Sequence, residues 1–283
     1  MGVRMRRFHI FRHAFSITVL FVFAVLVVNG PHTVALAIRP VTNNGITQGK
    51  PATTSAKRKG KVRRTSAKVR RKQIIEAERR LSELGYWTGP VDGVPDVGLR
   101  HALIAFQKVE GRKITGKLTF AELAALRTAS TPQPLDSSPS HVEIDLTRQV
   151  LFIVGNDGRV TKILPTSTGN DKWFTTGDWT RQGCTPCGRF RIYRKIPGWR
   201  KSELGLLYYP NYIAGGIAIH GYRSVPTYPA SHGCIRIPMY AAKEFSNLTP
   251  VAMPVLVYVN ERKTAAASAG SCCTYRSIDT SAR

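Results

Sequence analysis

Ser231-His232-Gly233-Cys234-Ile235-Arg236 is the stretch that decides how this chain is read, with His220-Gly221 standing upstream of it at the end of an apolar run. A cysteine that attacks an acyl group needs a base to take its proton and donors to hold the oxyanion that follows. Gly215-Gly216-Ile217-Ala218-Ile219 alternates as a strand, which makes His220 a residue at a strand end. Arg223 to Ala230, with Pro226 and Pro229, reads as a loop that turns the chain back. Gly233 lets the backbone approach a ligand closely. Cys234 is thus the candidate nucleophile, His220 its base, and the amides around Gly233 and Cys234 a candidate oxyanion hole. For any one of these residues alone, a buried cysteine or a satisfied core histidine is the commoner fate. Together in this glycine context they point to chemistry.

Composition bounds the setting. The chain has 283 residues, 42% of them hydrophobic, enough for one or two domains with a real core. Its formal net charge of +25 calls for an anionic partner, either nucleic acid or a polymer rich in carboxylates and phosphates. The N-terminus chooses between them. Arg4, Arg6, Arg7 and Arg12 precede an apolar run from Ala14 to Val28, and Ala35-Leu36-Ala37 follows as a small-x-small cleavage signal. Residues 1–37 therefore read as a secretory signal peptide, with an uncleaved membrane anchor as the other reading. Export places the rest outside the cytoplasm and excludes nucleic acid. A membrane contact is expected only if the signal segment stays on.

Five cysteines are present: Cys184, Cys187, Cys234, Cys272 and Cys273. An odd count in an exported chain leaves one thiol free. If Cys234 is the nucleophile, the other four are available to pair. Cys184-Thr185-Pro186-Cys187 is open to zinc, redox or disulfide readings. Zinc would need further ligands, and taking His220 and Cys234 would block the nucleophile. A disulfide is favoured, either within this turn or to Cys272 and Cys273.

Residues 38–72 are rich in Thr, Ser, Lys, Arg and Gly and read as a basic disordered linker. Its Lys57 to Arg64 cluster either sits on an anionic polymer or is solvated. Residues 73–128 read as a small all-α unit of three helices. Ile74, Ile75, Ala77, Leu81 and Leu84 mark the first helix, Leu99, Ala102, Leu103 and Phe106 the second, and Phe120, Leu123 and Leu126 the third. Residues 129–140, rich in Ser, Thr and Pro, read as an interdomain linker. From His141 the pattern turns to strands. Val142, Ile144 and Leu146 alternate, Val150 to Val154 is continuously apolar, and Asn156-Asp157-Gly158 makes a hairpin turn before Val160 to Pro165. Phe190 to Ile192 and Pro254 to Val259 are further strands, with a short helix over Met239 to Asn247. Trp173, Phe174, Trp179, Trp199, Tyr208, Tyr209 and Tyr212 either line a cleft or pack irregular loops. Residues 261–283 are a polar tail.

His-Gly, a short loop and Ser-His-Gly-Cys-Ile-Arg resemble the L,D-transpeptidase catalytic domain, the YkuD family. Ser167-Thr168-Gly169 and Thr185-Pro186-Cys187-Gly188 resemble turns of the same family, so the likeness covers about 141–259, within a catalytic domain expected over 141–260. Leu84-Gly85-Tyr86, Val91-Asp92-Gly93 and Ala105-Phe106-Gln107 resemble the peptidoglycan-binding module of wall enzymes. Ile114 to Thr119 departs from that module's pattern, which bears on ligand binding more than on fold. The resemblance implies a mainly β catalytic domain, a YkuD-like β-sandwich with sheets around a cleft, behind a three-helix module.

It also implies that Cys234 attacks the peptide stem of peptidoglycan, expels D-Ala and forms a thioester. A neighbouring amine then takes the acyl group to give a 3→3 cross-link. By the same resemblance His220 is base and acid, the Gly221 carbonyl orients its ring, and the amides of His232, Gly233 and Cys234 hold the oxyanion. His232 is also close enough in sequence to be the base. Arg236 is expected either to bind a substrate carboxylate or to make a structural salt bridge. Ser231 and Tyr222 are expected to border the substrate. No metal or organic cofactor is needed. Expected partners are stem peptides and, through the basic linker, anionic wall polymers. The rivals are an L,D-carboxypeptidase or cysteine peptidase acting on wall peptides, and a wall-binding protein without activity.

Overall fold

The alternating run that starts at His141 forms the central strand of one sheet in a two-sheet architecture in the computed structural model, which describes residues 55–260 and 272–273, with side chains from 68 onward. The signal-peptide segment, residues 38–54 and most of the polar tail lie outside the described residues. Three helices come first: α1 (Ser55–Glu83), α2 (Val97–Val109) and α3 (Phe120–Thr128). Helix α1 buries Ile74, Ala77 and Leu81 on one face. It ends in a Schellman turn, with Gly85 at φ +91° and the Tyr86 N–H donating to Leu81 O at 2.9 Å. Asp96 caps α2 by accepting from the Leu99 N–H, and Thr119 caps α3 by accepting from the Glu122 N–H.

Two differences from the sequence reading stand out. Residues 55–72, expected to be disordered, are helical. They are rich in Lys and Arg, good helix formers, and the anchored turns at 73–83 supply a nucleus from which helix propagates cheaply. Phe120, expected on the apolar face of the third helix, is 81% exposed. It stands at the first helical position, and the helix turns Glu122, Leu123 and Leu126 inward instead.

The first sheet has the order β3-β2-β1-β13-β7, from β1 (His141–Asp145), β2 (Val150–Val154), β3 (Val160–Pro165), β7 (Gly188–Arg191) and β13 (Pro254–Tyr258). The second runs β12-β11-β10-β8, from β8 (Arg194–Lys195), β10 (Gly205–Ala214), β11 (Ile217–Tyr222) and β12 (Ile235–Pro238), with β9 (Trp199–Ser202) paired to β10. The sheets do not close into a barrel. Val142, Ile144, Leu151, Leu164, Ile219, Ile235, Ile237 and Val257 fill the space between them, and α4 (Met239–Leu248) adds Ala241, Ala242 and Phe245.

The continuous apolar run of β2 has a cause in this arrangement. Leu151 and Ile153 face the sandwich core, while Val150 and Phe152 face the helices and share a cluster with Leu81, Leu103 and Phe106. A strand covered on both sides carries no polar face. Helices and strands therefore share one core. The chain after α1 also bonds to the sheet edge, with the Trp87 N–H on Ile163 O and the Ile163 N–H on Gly85 O. The stretch at 129–140 is held down rather than free. Leu135 and Asp136 donate their N–H groups to the buried Glu143 carboxylate, and Arg189 pairs with Asp136.

Candidate active site

Strands β11 and β12 run parallel, with Ile219 opposite Ile235 and His220 opposite Arg236. In a parallel pair, residues at one level share a face, and the face alternates along each strand. Ile219, Ile235 and Ile237 point into the core. His220, Tyr222 and Arg236 therefore point the other way, and Cys234, one pleat before Arg236, joins them. All four line a cavity of about 330 Å³. His220 stands diagonally across from Cys234, about 5 Å over and two residues along, within reach of an imidazole.

Gly221, beside this row, has no room for a side chain: a Cβ there would lie 2.6 Å from Ala242 Cβ on α4. The His220 ring is buried, and its Nδ1 lies 3.0 Å from the Gly221 carbonyl oxygen. A carbonyl only accepts, so Nδ1 carries the proton and Nε2 keeps its lone pair. Burial, which the Gly221 bond only partly offsets and the Arg236 charge reinforces, pushes the imidazole down to about 4. Burial likewise pushes the Cys234 thiol up, against the opposing pull of the Ala218 amide and of Arg181 and Arg236. The resting pair is thus a neutral thiol beside a neutral imidazole. Cys234 Sγ also lies 3.7 Å from Gly216 O.

The turn before Cys234 is tightly tied. Gly233 has φ +122°, open to glycine alone, and a Cβ there would meet Ile217 Cδ1 at 2.7 Å and Cys184 O at 2.8 Å. The Ser231 hydroxyl accepts from the Gly233 N–H at 3.0 Å and donates to Cys234 O at 2.6 Å. This corrects one expectation: the Gly233 N–H is already bonded and is not free for an oxyanion. Ser231 lines the cavity, with its hydroxyl proton committed inside the turn. Both follow from the need to satisfy polar groups in a turn where Ser231 is 2% exposed.

His232 is exposed and packs on Phe174, ring centroids 4.5 Å apart, with burial the main cause of its lowered pKa. It borders the cavity from the side of the β4 (Trp173–Thr176) and β5 (Trp179–Gln182) hairpin. Arg236 makes no ion pair among the described residues. Its guanidinium lies 4.2 Å from the Tyr222 ring centroid, and Tyr222 in turn meets His220 edge-on at 5.9 Å.

The opposite rim comes from β9, β10 and their connection, with Arg200, Glu203, Leu204 and Leu206. Of the flagged aromatics, Trp179 and Tyr212 line the cavity, whereas Trp199, Tyr208 and Tyr209 pack on one another. Sequence reasoning missed the charge of this lining. Arg181, Arg194, Arg200 and Arg236 face it with Glu203 the one carboxylate among its lining residues. These arginines are scattered along the chain and carry no spacing signal. The disulfides, left open in the sequence, are Cys184–Cys273 and Cys187–Cys272, and Cys234 is free. Among the described residues no group of three or more His, Cys, Asp or Glu gathers to hold a metal, and no helix is long and apolar enough to cross a membrane.

Comparison with known proteins agrees with this geometry. Residues 139–257 match the L,D-transpeptidase catalytic domain, and residues 70–126 match a family described as a peptidoglycan binding domain. No curated protein sequence matches the chain. Among solved structures, an L,D-transpeptidase from Xylanimonas cellulosilytica is similar at 36% identity and TM-score 0.60, over 65% of this chain and 92% of that one. An L,D-transpeptidase from Stackebrandtia nassauensis is 21% identical with TM-score 0.39, over 66% and 91%. With the Xylanimonas relative 36% identical and spanned over 92% of its length, the chain belongs to the L,D-transpeptidases, a family of cysteine-dependent acyltransferases, and it carries a peptidoglycan-binding domain ahead of the catalytic one.

Proposed function

We propose that this protein is an exported peptidoglycan transpeptidase that forms 3→3 cross-links through a thioester on Cys234. The observation that carries the reading is the single free thiol on one face with His220 in a cavity lined by four arginines, the other four cysteines being paired. A stem peptide presents carboxylates at its terminal D-Ala and on its diamino-acid side chain, and Arg236 and the facing arginines suit them.

In the first half-reaction, His220 Nε2 takes the thiol proton as Sγ attacks the carbonyl before D-Ala. The C–N bond then breaks, D-Ala leaves with that proton on its amine, and an acyl thioester remains. In the second, an acceptor amine attacks the thioester, His220 removes its proton and returns it to the departing sulfur. The Gly221 carbonyl fixes the tautomer, and the amides of His232 and Cys234 are the donors for the oxyanion. Water in place of the amine would give a carboxypeptidase. Export accords with the N-terminal signal pattern and with two disulfides, which persist in oxidising compartments. The basic residues up to Lys72 would hold the enzyme near anionic wall polymers.

Incubation with a disaccharide-tetrapeptide, followed by mass spectrometry, tests this beside Cys234→Ala. D-Ala loss with a dimer mass, both absent in the variant, is expected. D-Ala loss without dimer would turn the reading to a carboxypeptidase. Retention of D-Ala, with no acyl adduct on Cys234, would leave a wall-binding protein.

A further inference from the structure

We infer that Thr185 is a positioning residue that fixes the direction of the Cys234 amide. The inference rests on the proposal that this amide faces the oxyanion. The Thr185 side chain is 1% exposed, and its hydroxyl donates to Gly233 O at 2.8 Å. The same oxygen accepts from the Gly169 N–H at 2.9 Å, so its proton has one place to go.

Gly233 O and the Cys234 N–H belong to one peptide unit. That unit is planar and trans, so its C=O and N–H point in opposite directions. Tying the carbonyl to Thr185 on one side aims the N–H away from Thr185. The tie matters here because Gly233 sits at φ +122°, where the missing Cβ leaves the backbone free to rotate and the peptide could turn over. A turned peptide would present its carbonyl where the donor should be.

The anchor is itself braced. Thr185 lies in β6 (Thr185–Pro186) between Cys184 and Cys187, which are bonded to Cys273 and Cys272. The segment β14 (Cys272–Cys273) pairs in parallel with β6, Cys272 opposite Thr185. On the other flank Gly169 is pressed so close that a Cβ would lie 2.5 Å from Gly183 O. Two covalent links and this packing keep the hydroxyl in place. They give the C-terminal cysteine pair, otherwise remote from the chemistry, a reason to be there.

The test separates two reactions of the same thiol in the disulfide-intact full chain. Iodoacetamide alkylates Cys234 by displacement at a tetrahedral carbon and needs no oxyanion donor, whereas acylation by a carbapenem does. Thr185→Val, which loosens an oxyanion donor without removing it, is expected to slow acylation by about 10- to 100-fold, at most the lower end of the effect of a lost donor. Alkylation should stay within about twofold, and Thr185→Ser, which keeps the hydroxyl, should acylate within about threefold of the wild type. Thr185→Ala is carried beside the valine variant in case the latter does not fold. Unchanged acylation in the valine or alanine variant, or an equal fall in both reactions, would overturn the inference. If the wild type is alkylated but neither acylated by the carbapenem nor able to release D-Ala, the functional reading falls first and takes this inference with it.

Discussion

Lys108→Met measures how the helical module is seated. Lys108 lies on α2, is 5% exposed, and its Nζ donates to Gln149 O at 2.9 Å and Thr166 O at 3.1 Å across the shared core. Burial pulls its ammonium down from the ordinary 10.5 to about 7. The unfolded chain therefore holds this proton up to about pH 10.5, and the folded chain gives it up near 7. Between those values folding releases a proton, so stability rises with pH. Linkage across the two values gives a rise of about 2 kcal/mol from pH 7 to pH 9.

In Lys108→Met the two carbonyls lose their donor, at about 1–3 kcal/mol each. At pH 7 that loss is offset by about 4 kcal/mol of desolvation no longer imposed on the charge. The variant should thus stand within about 2 kcal/mol of the wild type at pH 7 and fall a further 2 kcal/mol or so behind by pH 9. Urea unfolding followed by tryptophan fluorescence at pH 7, 8 and 9 reads the gap. The tyrosines Tyr86, Tyr240 and Tyr258, whose hydroxyls lose water and have raised pKa values, contribute equally to both proteins and drop out of the difference. A gap that stays constant with pH would refute the reasoning, because the rise would then belong to other groups.

Two further outcomes follow from the site. With His220 held down to about 4, its base form persists well below neutrality, so the acid limb of carbapenem acylation should fall near pH 4 rather than near 6.5 and should vanish in His220→Gln; a limb near 6.5 would point to a solvated histidine as the base. Gly233→Ala forces a side chain to φ +122° and against the Cys184 carbonyl, so it should cost of order 1–3 kcal/mol in thermal unfolding and suppress acylation together; an alanine variant that melts and acylates like the wild type would contradict the packing described.

The acid limb has a counterpart in stability. Buried His220 and half-buried His101, both pushed down to about 4, bind protons in the unfolded chain from pH 6.5 downward. Their contribution is complete above 6.5 and is lost as pH falls toward 4. Gln149 ties this interface to the chemistry. Its side chain donates to Thr168 Oγ1 and accepts from the Thr168 N–H, and Thr168 O accepts from the N–H groups of Ala230 and Ser231 just before the reactive turn. The seat of Lys108 is thus two residues removed from the segment that carries Cys234.

Local patterns were enough for much of this molecule. The alternating run at 141–145, the continuous apolar run at 150–154, the hairpin turn before 160–165, the Gly85 stop of α1 and the Asp96 and Thr119 caps are decided by residues a few positions apart, and the sequence carries them openly. So is the pairing of a histidine at a strand end with a cysteine after Ser-His-Gly, since β11 and β12 need only lie side by side to bring them to one face. The sequence alone also determined that one thiol is left over.

Tertiary structure decided what depends on partners distant in the chain. It chose Cys184–Cys273 and Cys187–Cys272 among the possible pairings, gathered Arg181, Arg194, Arg200 and Arg236 around one cavity, and committed the Ser231 hydroxyl to its own turn. It also placed Thr185 on Gly233 O, 48 residues away, and sank Lys108 beneath Gln149 and Thr166. The physical reason is common to all of these. Propensity and hydrophobic period are local and repeat along the chain, whereas a hydrogen bond, a disulfide or a desolvated charge is set by which groups the packed core brings within about 3 Å of each other.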